Sequence, residues 1–240
     1  MFPIKIISLL RSSQRRADFI AANPDLLFEF FDAVDGLTLA DRDINEPKLF
    51  DHGLPYSKGA YGCALSHLTL WNAAIRSGQP LTIGEDDAIF RPDFVQMQEK
   101  AMAGITGEWD LITWGWNFNE VLLLDVLPGV SPTIIAFKQD QLRQSIETFR
   151  QINDWPKLYR LRLTCGLPAY TISPAGAAKF ISKVFPLRNT LIPVPELNAA
   201  QPNTGIDLAM AEIYPVALCY ASLPPLVVTK NEKTRSTIQD

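Results

Sequence analysis

Cysteine and histidine are scarce in this sequence, which has three cysteines and two histidines among 240 residues. The cysteines are odd in number, and no two of Cys63, Cys165 and Cys219 have the CxxC spacing of a metal or redox motif. A disulfide framework or a structural zinc site is therefore not expected; we expect buried thiols and a reducing compartment, the cytoplasm. His52 lies in a polar loop far from His67, so a histidine-based nucleophilic triad is not supported.

An excess of basic residues and long apolar runs are also absent. Lys and Arg number 22 against 26 Asp and Glu, and the sequence pI is about 5.3. This balance argues against nucleic acid as a partner, because nucleic-acid-binding surfaces are usually basic. No apolar run is as long as a membrane span, and the first ten residues lack the basic start of a secretory signal. We expect a soluble protein, with peripheral association at the inner face of a membrane as an alternative.

Short apolar segments alternate with segments of helical periodicity. Residues 4–10 and 81–84 have the β-branched, apolar composition of buried strands, whereas apolar residues recur at helical spacing over 59–77. Strands that alternate with helices predict a parallel, layered α/β sheet. We find no repeat and no linker, so the prediction is a single domain over residues 1–240.

Further elements are predicted in the second half of the chain. We expect a hairpin over 119–138, an amphipathic helix over 139–155, and a short helix over 206–214. Ser173 precedes a proline and is expected to cap a helix. The basic residues in and after the 139–155 segment could contact anionic lipid, although a solvated surface is the better default. They are Arg143, Arg150, Lys157, Arg160 and Arg162.

Three acids, Glu85, Asp86 and Asp87, follow the apolar strand at 81–84 directly. In open α/β sheets, ligands bind outside the carboxyl ends of strands. Two neighbouring carboxylates repel each other unless a cation lies between them, and hard oxygen ligands suit Mg²⁺ or Mn²⁺. A solvated turn is the usual fate of such a triplet, but apolar sequence flanks this one on both sides. We therefore predict a metal–diphosphate site, with Glu85 and Asp87 as ligands and Asp86 in contact with the donor.

Several blocks, in this order along nearly the whole chain, resemble glycosyltransferase family 25, the lipooligosaccharide galactosyltransferases. Each block is modest alone, but the ordered set is specific. The blocks are Ile7-Ser8-Leu9 with Arg11-Ser12, the segment 28–36, Gly62-Cys63-Ala64-Leu65-Ser66-His67, the acidic triplet with Ala88, Cys165-Gly166 with 169–173, Ile206-Asp207, and Ser236-Thr237-Ile238.

The resemblance implies a GT-A-like fold, a UDP-sugar donor (often UDP-galactose), a divalent metal and inversion at the anomeric carbon. The acceptor would be a saccharide or glycolipid of lipooligosaccharide, lipopolysaccharide or a related surface glycan. Residues 1–115 would bind the donor, and residues 116–240 would close over it and bind the acceptor. The position of Arg11 and Ser12 at a strand end, where a helix begins, suits phosphate; the resemblance places Ala33, Val34 and Asp35 beside the nucleoside.

Two positions depart from the family pattern. Gly84 stands where a larger apolar residue usually precedes the triplet, and Ala60 stands where many members carry Glu. These departures leave open a sugar-nucleotide-binding protein that has lost turnover. A metal-dependent phosphohydrolase or nucleotidyltransferase is a further alternative, but it would need more carboxylates near the metal than the sequence places there.

Inverting transfer needs a carboxylate base that is not a metal ligand. Asp207, Glu196 and Glu212 are the candidates in the second half of the chain, and Asp207 is preferred because Ile206-Asp207 matches the family's hydrophobic–Asp motif. The alternative for Asp207 is a helix cap. For His67 we expect a hydrogen-bonded core histidine. Trp114 and Trp116 are weak candidates for stacking on an acceptor sugar, against core packing as the commoner role.

Overall fold

A computed structural model describes residues 2–194 and 198–232, so Glu196 and the 236–238 block lie outside the described residues. Thirteen strands and eight α-helices are numbered below in chain order. The strands are β1 (Ile4–Ser8), β2 (Glu29–Asp32), β3 (Leu81–Glu85), β4 (Ala88–Phe90), β5 (Leu111–Thr113), β6 (Val121–Leu127), β7 (Ser131–Ala136), β8 (Lys157–Leu163), β9 (Ala169–Ile172), β10 (Leu191–Val194), β11 (Ala199–Pro202), β12 (Cys219–Leu223) and β13 (Val227–Thr229). The helices are α1 (Ser13–Ala22), α2 (Asp41–Ile44), α3 (Lys58–Ser77), α4 (Phe94–Met102), α5 (Gln139–Gln144), α6 (Ile146–Arg150), α7 (Pro174–Val184) and α8 (Ile206–Ala211).

Nine strands form one central sheet in the order β2-β1-β3-β9-β5-β12-β8-β6-β7. The pairings give six strands one direction, with β7, β8 and β9 opposed. The sheet is therefore mixed, and most of its strands run one way, which agrees with the predicted α/β, GT-A-like class. Two further pairs, β10–β11 and β4–β13, are antiparallel. The β4–β13 pair brings the end of the described chain beside the acidic triplet.

Helix α3 forms where helical periodicity was predicted, and its ends have clear chemical causes. The Ser57 side chain accepts a 3.1 Å hydrogen bond from the Ala60 amide, which caps the first turn. Gly78 ends the helix in the left-handed region with φ 65°, a conformation that glycine adopts at little cost. The buried side of α3 includes Leu70 and Trp71, which belong to the main core.

Two glycines allow the start of α3 to lie directly against the segment that follows β2. A Cβ on Gly62 would lie 2.3 Å from the carbonyl oxygen of Val34, and one on Gly36 would overlap the Lys58 carbonyl. Such distances are shorter than van der Waals contact, so both positions need glycine. This contact explains why the Asp35-Gly36 and Gly62-Cys63 blocks occur together.

Gly84 has a local explanation as well. A Cβ at this position would lie 2.9 Å from Cδ1 of Ile6 and 3.2 Å from the Phe90 ring. Phe90 is 3% exposed and belongs to a second core cluster. The space that a larger residue would need at position 84 is thus occupied by Ile6 and Phe90, and the departure is compensated inside the core.

The structure corrects the local predictions for the second half of the chain at one helix and one missed strand. The helix predicted over 139–155 is two short helices, α5 and α6, separated at Ser145. Residues 157–163 form β8, which the sequence analysis missed because Arg160 and Arg162 alternate with buried apolar residues. The polar loop that contains His52 is anchored by Phe50 and Leu54, which lie in the core. Along 2–194 and 198–232, no helix has the length and apolarity to cross a membrane.

Candidate active site

A cavity of about 840 Å³ opens at the carboxyl end of β3. Its walls come from α1, the start of α3, the turn after β3, the segments around 117 and 165, the start of α8 and the segment after β13. The charged and sulfur-bearing residues on these walls include Arg15, Cys63, Cys165 and Asp207, together with all three acids of the triplet. The topology therefore gathers residues from distant parts of the chain around the acids.

Asp86 is held by protein side chains on both of its oxygens. Ser8 Oγ, at the end of β1, donates a 2.6 Å hydrogen bond to Oδ2, and Arg15 Nε donates a 2.8 Å hydrogen bond to Oδ1. Asp86 is only 8% exposed. Its carboxylate therefore ties the acidic turn to β1 and α1. Asp86 and Arg15 both line the cavity, and the contact of Asp86 with the donor stays a prediction.

Asp87 has one oxygen in use and one without a partner. Thr229 Oγ1, at the end of β13, donates a 3.0 Å hydrogen bond to Oδ2. Oδ1 is buried and finds no hydrogen-bond partner within the described part of the chain. Burial raises the pKa of Asp87, while the nearby Arg15 opposes this shift. An unpaired, buried carboxylate oxygen at a cavity wall is chemically suited to coordinate a cation.

Glu85 is the last residue of β3, and its ionised form is the most strongly disfavoured among the three acids. Burial raises its pKa well above the usual range, and the negative charges of Asp87 and Asp207 raise it further. A divalent cation between Glu85 and Asp87 would relieve this repulsion, since opposite charge favours the ionised form. The oxygen donors present therefore fit the hard cation, Mn²⁺ or Mg²⁺, predicted from the sequence.

Asp207 faces the same cavity from α8. Its Oδ2 accepts a 2.9 Å hydrogen bond from the Gly166 amide. The N-cap position of α8 is Gly205, and no side chain caps this helix. The alternative role of Asp207 as a helix cap is therefore not supported, because its carboxylate is directed to another segment of the chain.

Of the other two base candidates, only Glu212 belongs to the described residues, and it is not in the site. Glu212 follows the last residue of α8, is exposed and does not line the cavity. Glu196 lies outside the described residues. Of the three carboxylates considered, Asp207 alone is placed on the cavity wall by the described residues.

The donor residues predicted from β1 and β2 lie outside this cavity. Arg11 and Asp35 form an ion pair, with a 2.6 Å hydrogen bond from Nε to Oδ2, and Asp35 also accepts from the Leu37 amide. The Val34 amide donates to Ser66 Oγ at 2.9 Å. These contacts hold the strand ends together. None of the predicted donor residues from this region lines the cavity: Arg11, Ser12, Ala33, Val34 and Asp35.

The two tryptophans proposed as an acceptor platform are core residues. Trp114 and Trp116 are both fully buried. Trp114 Nε1 donates a 2.7 Å hydrogen bond to Thr171 Oγ1, and the Trp116 ring stacks on Phe118 at 5.8 Å. Their role is therefore core packing, the alternative considered for them, because no ring face reaches the cavity.

His67 lies at the end of a buried hydrogen-bond chain. Trp71 Nε1 donates to the Tyr170 hydroxyl at 2.7 Å, and the same hydroxyl lies 2.7 Å from His67 Nδ1. Burial lowers the pKa of His67 to about 4, so the ring is neutral at physiological pH. The environment matches the expected core histidine, although Nε2 is buried with no partner in the described segments.

Cys63 lies at the candidate site, and the sequence analysis did not single it out. We expected buried thiols, but Cys63 and Cys165 are only half-buried and line the cavity, whereas Cys219 is buried. One ligand atom from each of Cys63, His67 and Glu85 lies within 4.8 Å of the other two. The usable signal was the four-residue spacing of Cys63 and His67, which places both on one face of a helix.

Comparison with known proteins supports one family. A sequence model described as "Glycosyltransferase family 25 (LPS biosynthesis protein)" matches residues 1–197. A glycosyltransferase of Acanthamoeba polyphaga mimivirus is 37% identical over 123 residues, which cover 48% of this chain and 38% of the viral protein.

Animal relatives differ in what their names say about activity. "Inactive glycosyltransferase 25 family member 3" of Mus musculus is 32% identical over 142 residues, covering 52% of this chain and 24% of the mouse protein. "Procollagen galactosyltransferase 1" of Danio rerio is 32% identical over 124 residues, covering 46% of this chain and 20% of the fish protein. The matched segments thus span well under half the length of these relatives.

Proposed function

Since the chain belongs to glycosyltransferase family 25, we propose that it is an inverting, metal-dependent hexosyltransferase. The donor would be a UDP-sugar, with UDP-galactose the first choice. The acceptor would be a saccharide or glycolipid of lipopolysaccharide, lipooligosaccharide or a related surface glycan. The galactosyl donor is supported by the name of the zebrafish relative and by the resemblance described above.

One observation carries this proposal: Glu85, Asp87 and Asp207 line a single cavity of about 840 Å³. This volume is within the range of sites that hold a drug-sized ligand. Glu85 and Asp87 would hold a cation and its diphosphate, and Asp207 comes from a different wall. Arg15 adds a positive charge at the same wall as the triplet.

In the proposed reaction, the acceptor hydroxyl oxygen attacks the anomeric carbon of the sugar while the bond from that carbon to the diphosphate oxygen breaks. Asp207 accepts the hydroxyl proton, and UDP leaves with the bonding electrons. A divalent cation bound by Glu85 and Asp87 would supply charge neutralisation for the departing diphosphate. Gly166 holds Oδ2 of Asp207, which leaves Oδ1 for the proton.

A second candidate function is sugar-nucleotide binding without turnover. The observation that favours it is the mouse relative, whose name calls it inactive. In that case the cavity would still bind UDP with a metal, but no sugar would be transferred. The compensated Gly84 and the cavity-lining Ala60 are compatible with both functions.

The deciding experiment is a panel of UDP-sugars incubated with Mn²⁺ and the purified protein, with UDP release as the readout. We expect metal-dependent release from one UDP-hexose, faster with a saccharide acceptor mixture, and none in EDTA. Calorimetric titration with UDP separates the two functions: binding without release supports the non-catalytic alternative. Equal release from CDP- and GDP-sugars would contradict a uridine-specific donor site.

A further inference from the structure

Glu85 has a second set of neighbours, on the side of the site formed by α3. Cys63 and His67 occupy successive turns of one face of α3, and the carboxylate of Glu85 lies beside them at the end of β3. The three ligand atoms, one per residue, are mutually within 4.8 Å. Thiolate, imidazole and carboxylate together are a ligand set typical of zinc-class ions and differ from the all-oxygen set of Mg²⁺.

His67 offers an independent indication that a ligand belongs here. Its side chain is fully buried, yet Nε2 has no hydrogen-bond partner among the described residues. The other ring nitrogen, Nδ1, lies 2.7 Å from the Tyr170 hydroxyl. Metal-binding histidines commonly have this arrangement, with one nitrogen on the metal and the other bonded to an oxygen that fixes the ring.

The Tyr170 hydroxyl is itself fixed, since Trp71 Nε1 donates to it at 2.7 Å. Trp71, His67 and Tyr170 are all fully buried, so the imidazole orientation is set by core packing. A ligand whose second nitrogen is held in this way loses little side-chain entropy when it binds a metal. The site is therefore preorganised at His67, whose ring is the least mobile of the three ligands.

We propose that Cys63, His67 and Glu85 bind a zinc-class transition-metal ion, at a site adjacent to but chemically distinct from the Glu85–Asp87 oxygen site. Tetrahedral coordination requires ligand atoms about 3.5 Å apart, and these atoms lie within 4.8 Å of one another, so the side chains must approach by at most about 1.3 Å. Cys63 and Glu85 line the cavity whereas His67 does not. The fourth coordination position therefore faces the cavity. The Cys63 thiol releases its proton to solvent on binding.

Because Glu85 belongs to both ligand sets, the two sites compete for one carboxylate. A zinc-class ion on Cys63 and His67 would draw Glu85 away from Asp87. The site thus gives the protein a means of responding to thiophilic metals. This consequence rests on the proposed function, but metal binding itself does not, and the two can be tested separately.

The test is a titration of metal-free protein with Co²⁺, which has an absorption spectrum that reports thiolate coordination. We expect a thiolate-to-cobalt charge-transfer band that saturates at one equivalent and is abolished by excess Zn²⁺. Cys63→Ser should remove the band, and His67→Gln should weaken Co²⁺ binding at least tenfold. Cys165→Ser is the matched control, because Cys165 lines the same cavity without a histidine neighbour, and it should keep the band.

Wild-type protein that shows no charge-transfer band overturns the proposal without any variant. Retention of the band in Cys63→Ser, or its loss in Cys165→Ser, also overturns it. Circular dichroism identifies any variant that fails to fold. If His67→Gln does not fold, the comparison of Cys63→Ser with Cys165→Ser decides whether the site exists, since both replace one sulfur atom at a half-buried position. UDP binding in Mn²⁺ is measured in parallel: if it persists without a cobalt band, this inference fails while the proposed function stands.

Discussion

The amide of Gly166 donates a 2.9 Å hydrogen bond to Oδ2 of Asp207. Gly166 adopts φ +78°, and a Cβ at this position would lie 2.3 Å from the Asn117 side chain. A bulkier residue would therefore both strain the backbone and overlap the Asn117 side chain. The bond connects the start of α8 with the segment that precedes β9 and fixes which oxygen of Asp207 is available to a ligand.

Asp207→Asn tests the role of this carboxylate as the base. Asn can still accept the Gly166 hydrogen bond, so we expect an unchanged melting temperature and unchanged UDP binding. Because Asn cannot take a proton, transfer should fall by about a hundredfold or more, the usual scale for loss of a general base. The measurement is the turnover of UDP-sugar with acceptor, per folded molecule.

Glu212→Gln is the matched control for Asp207, since it neutralises an exposed carboxylate at the other end of the same helix. It should leave transfer within a factor of two. Equal activity of Asp207→Asn and wild type would remove Asp207 as the base.

Asp87→Ala tests the metal site. The change removes the unpaired Oδ1 together with the oxygen that accepts from Thr229. We expect donor turnover to fall to background, while circular dichroism still shows a folded protein. Asp25→Ala, at an exposed position, has the same change in charge and should behave as wild type. Near-normal Mn²⁺-dependent turnover of Asp87→Ala would falsify the assignment.

Asp86→Ala should lower the stability of the protein more than the corresponding substitutions of Glu85 and Asp87 do. It leaves the partly buried Arg15 and the buried Ser8 hydroxyl without their shared acceptor. We expect a loss of about 2–4 kcal/mol in the free energy of unfolding, measured by chemical denaturation. Glu29→Ala breaks the ion pair with Lys5, in which Glu29 is 75% exposed, and should cost no more than about 1 kcal/mol. Similar losses of unfolding free energy in Asp86→Ala and Glu29→Ala would contradict the role of Asp86 in joining the acidic turn to β1 and α1.

His67 predicts a pH dependence of stability in metal-free protein. Its pKa falls from 6.5 to about 4 on folding because the side chain is buried. Between these values the unfolded chain binds more protons than the folded one, so stability is complete above pH 6.5 and is lost as pH falls toward 4. The loss amounts to roughly 3 kcal/mol. His67→Gln should lack this part of the pH profile, as measured by denaturation at several pH values in EDTA. A profile parallel to that of the wild type would contradict the buried neutral ring.

The sequence predicted those features that depend on neighbouring residues. The buried strand before the acids, the period of α3, and the Ser173 cap of α7, which accepts from the Gly176 amide at 2.9 Å, follow from local patterns. The family resemblance added Asp207, whose position on the cavity wall no local pattern would reveal.

Contacts between distant segments were beyond the reach of local patterns. The bond of Thr229 to Asp87 joins residues 142 positions apart, and Ser8 reaches Asp86 across a parallel strand pair. Trp114 and Trp116 stayed weak acceptor candidates beside the core role that the structure shows, because an apolar aromatic pair has the same sequence appearance in a core as on a sugar-binding surface. The break at Ser145 follows neither Gly nor Pro, so periodicity extended the helix through it.

The strand order has a consequence for synthesis on the ribosome. Strand β5, made early, has β9 and β12 as its neighbours in the sheet, and β4 has β13. Residues 1–115 therefore contain the acids but lack β9, one of the two neighbours of β3, and β13, the partner of β4. No nascent chain shorter than 229 residues includes both Asp87 and its hydrogen-bond donor. The cavity around the acids is thus completed only after residue 229 has been synthesised, and the strand edges of the amino-terminal half stay unpaired until then.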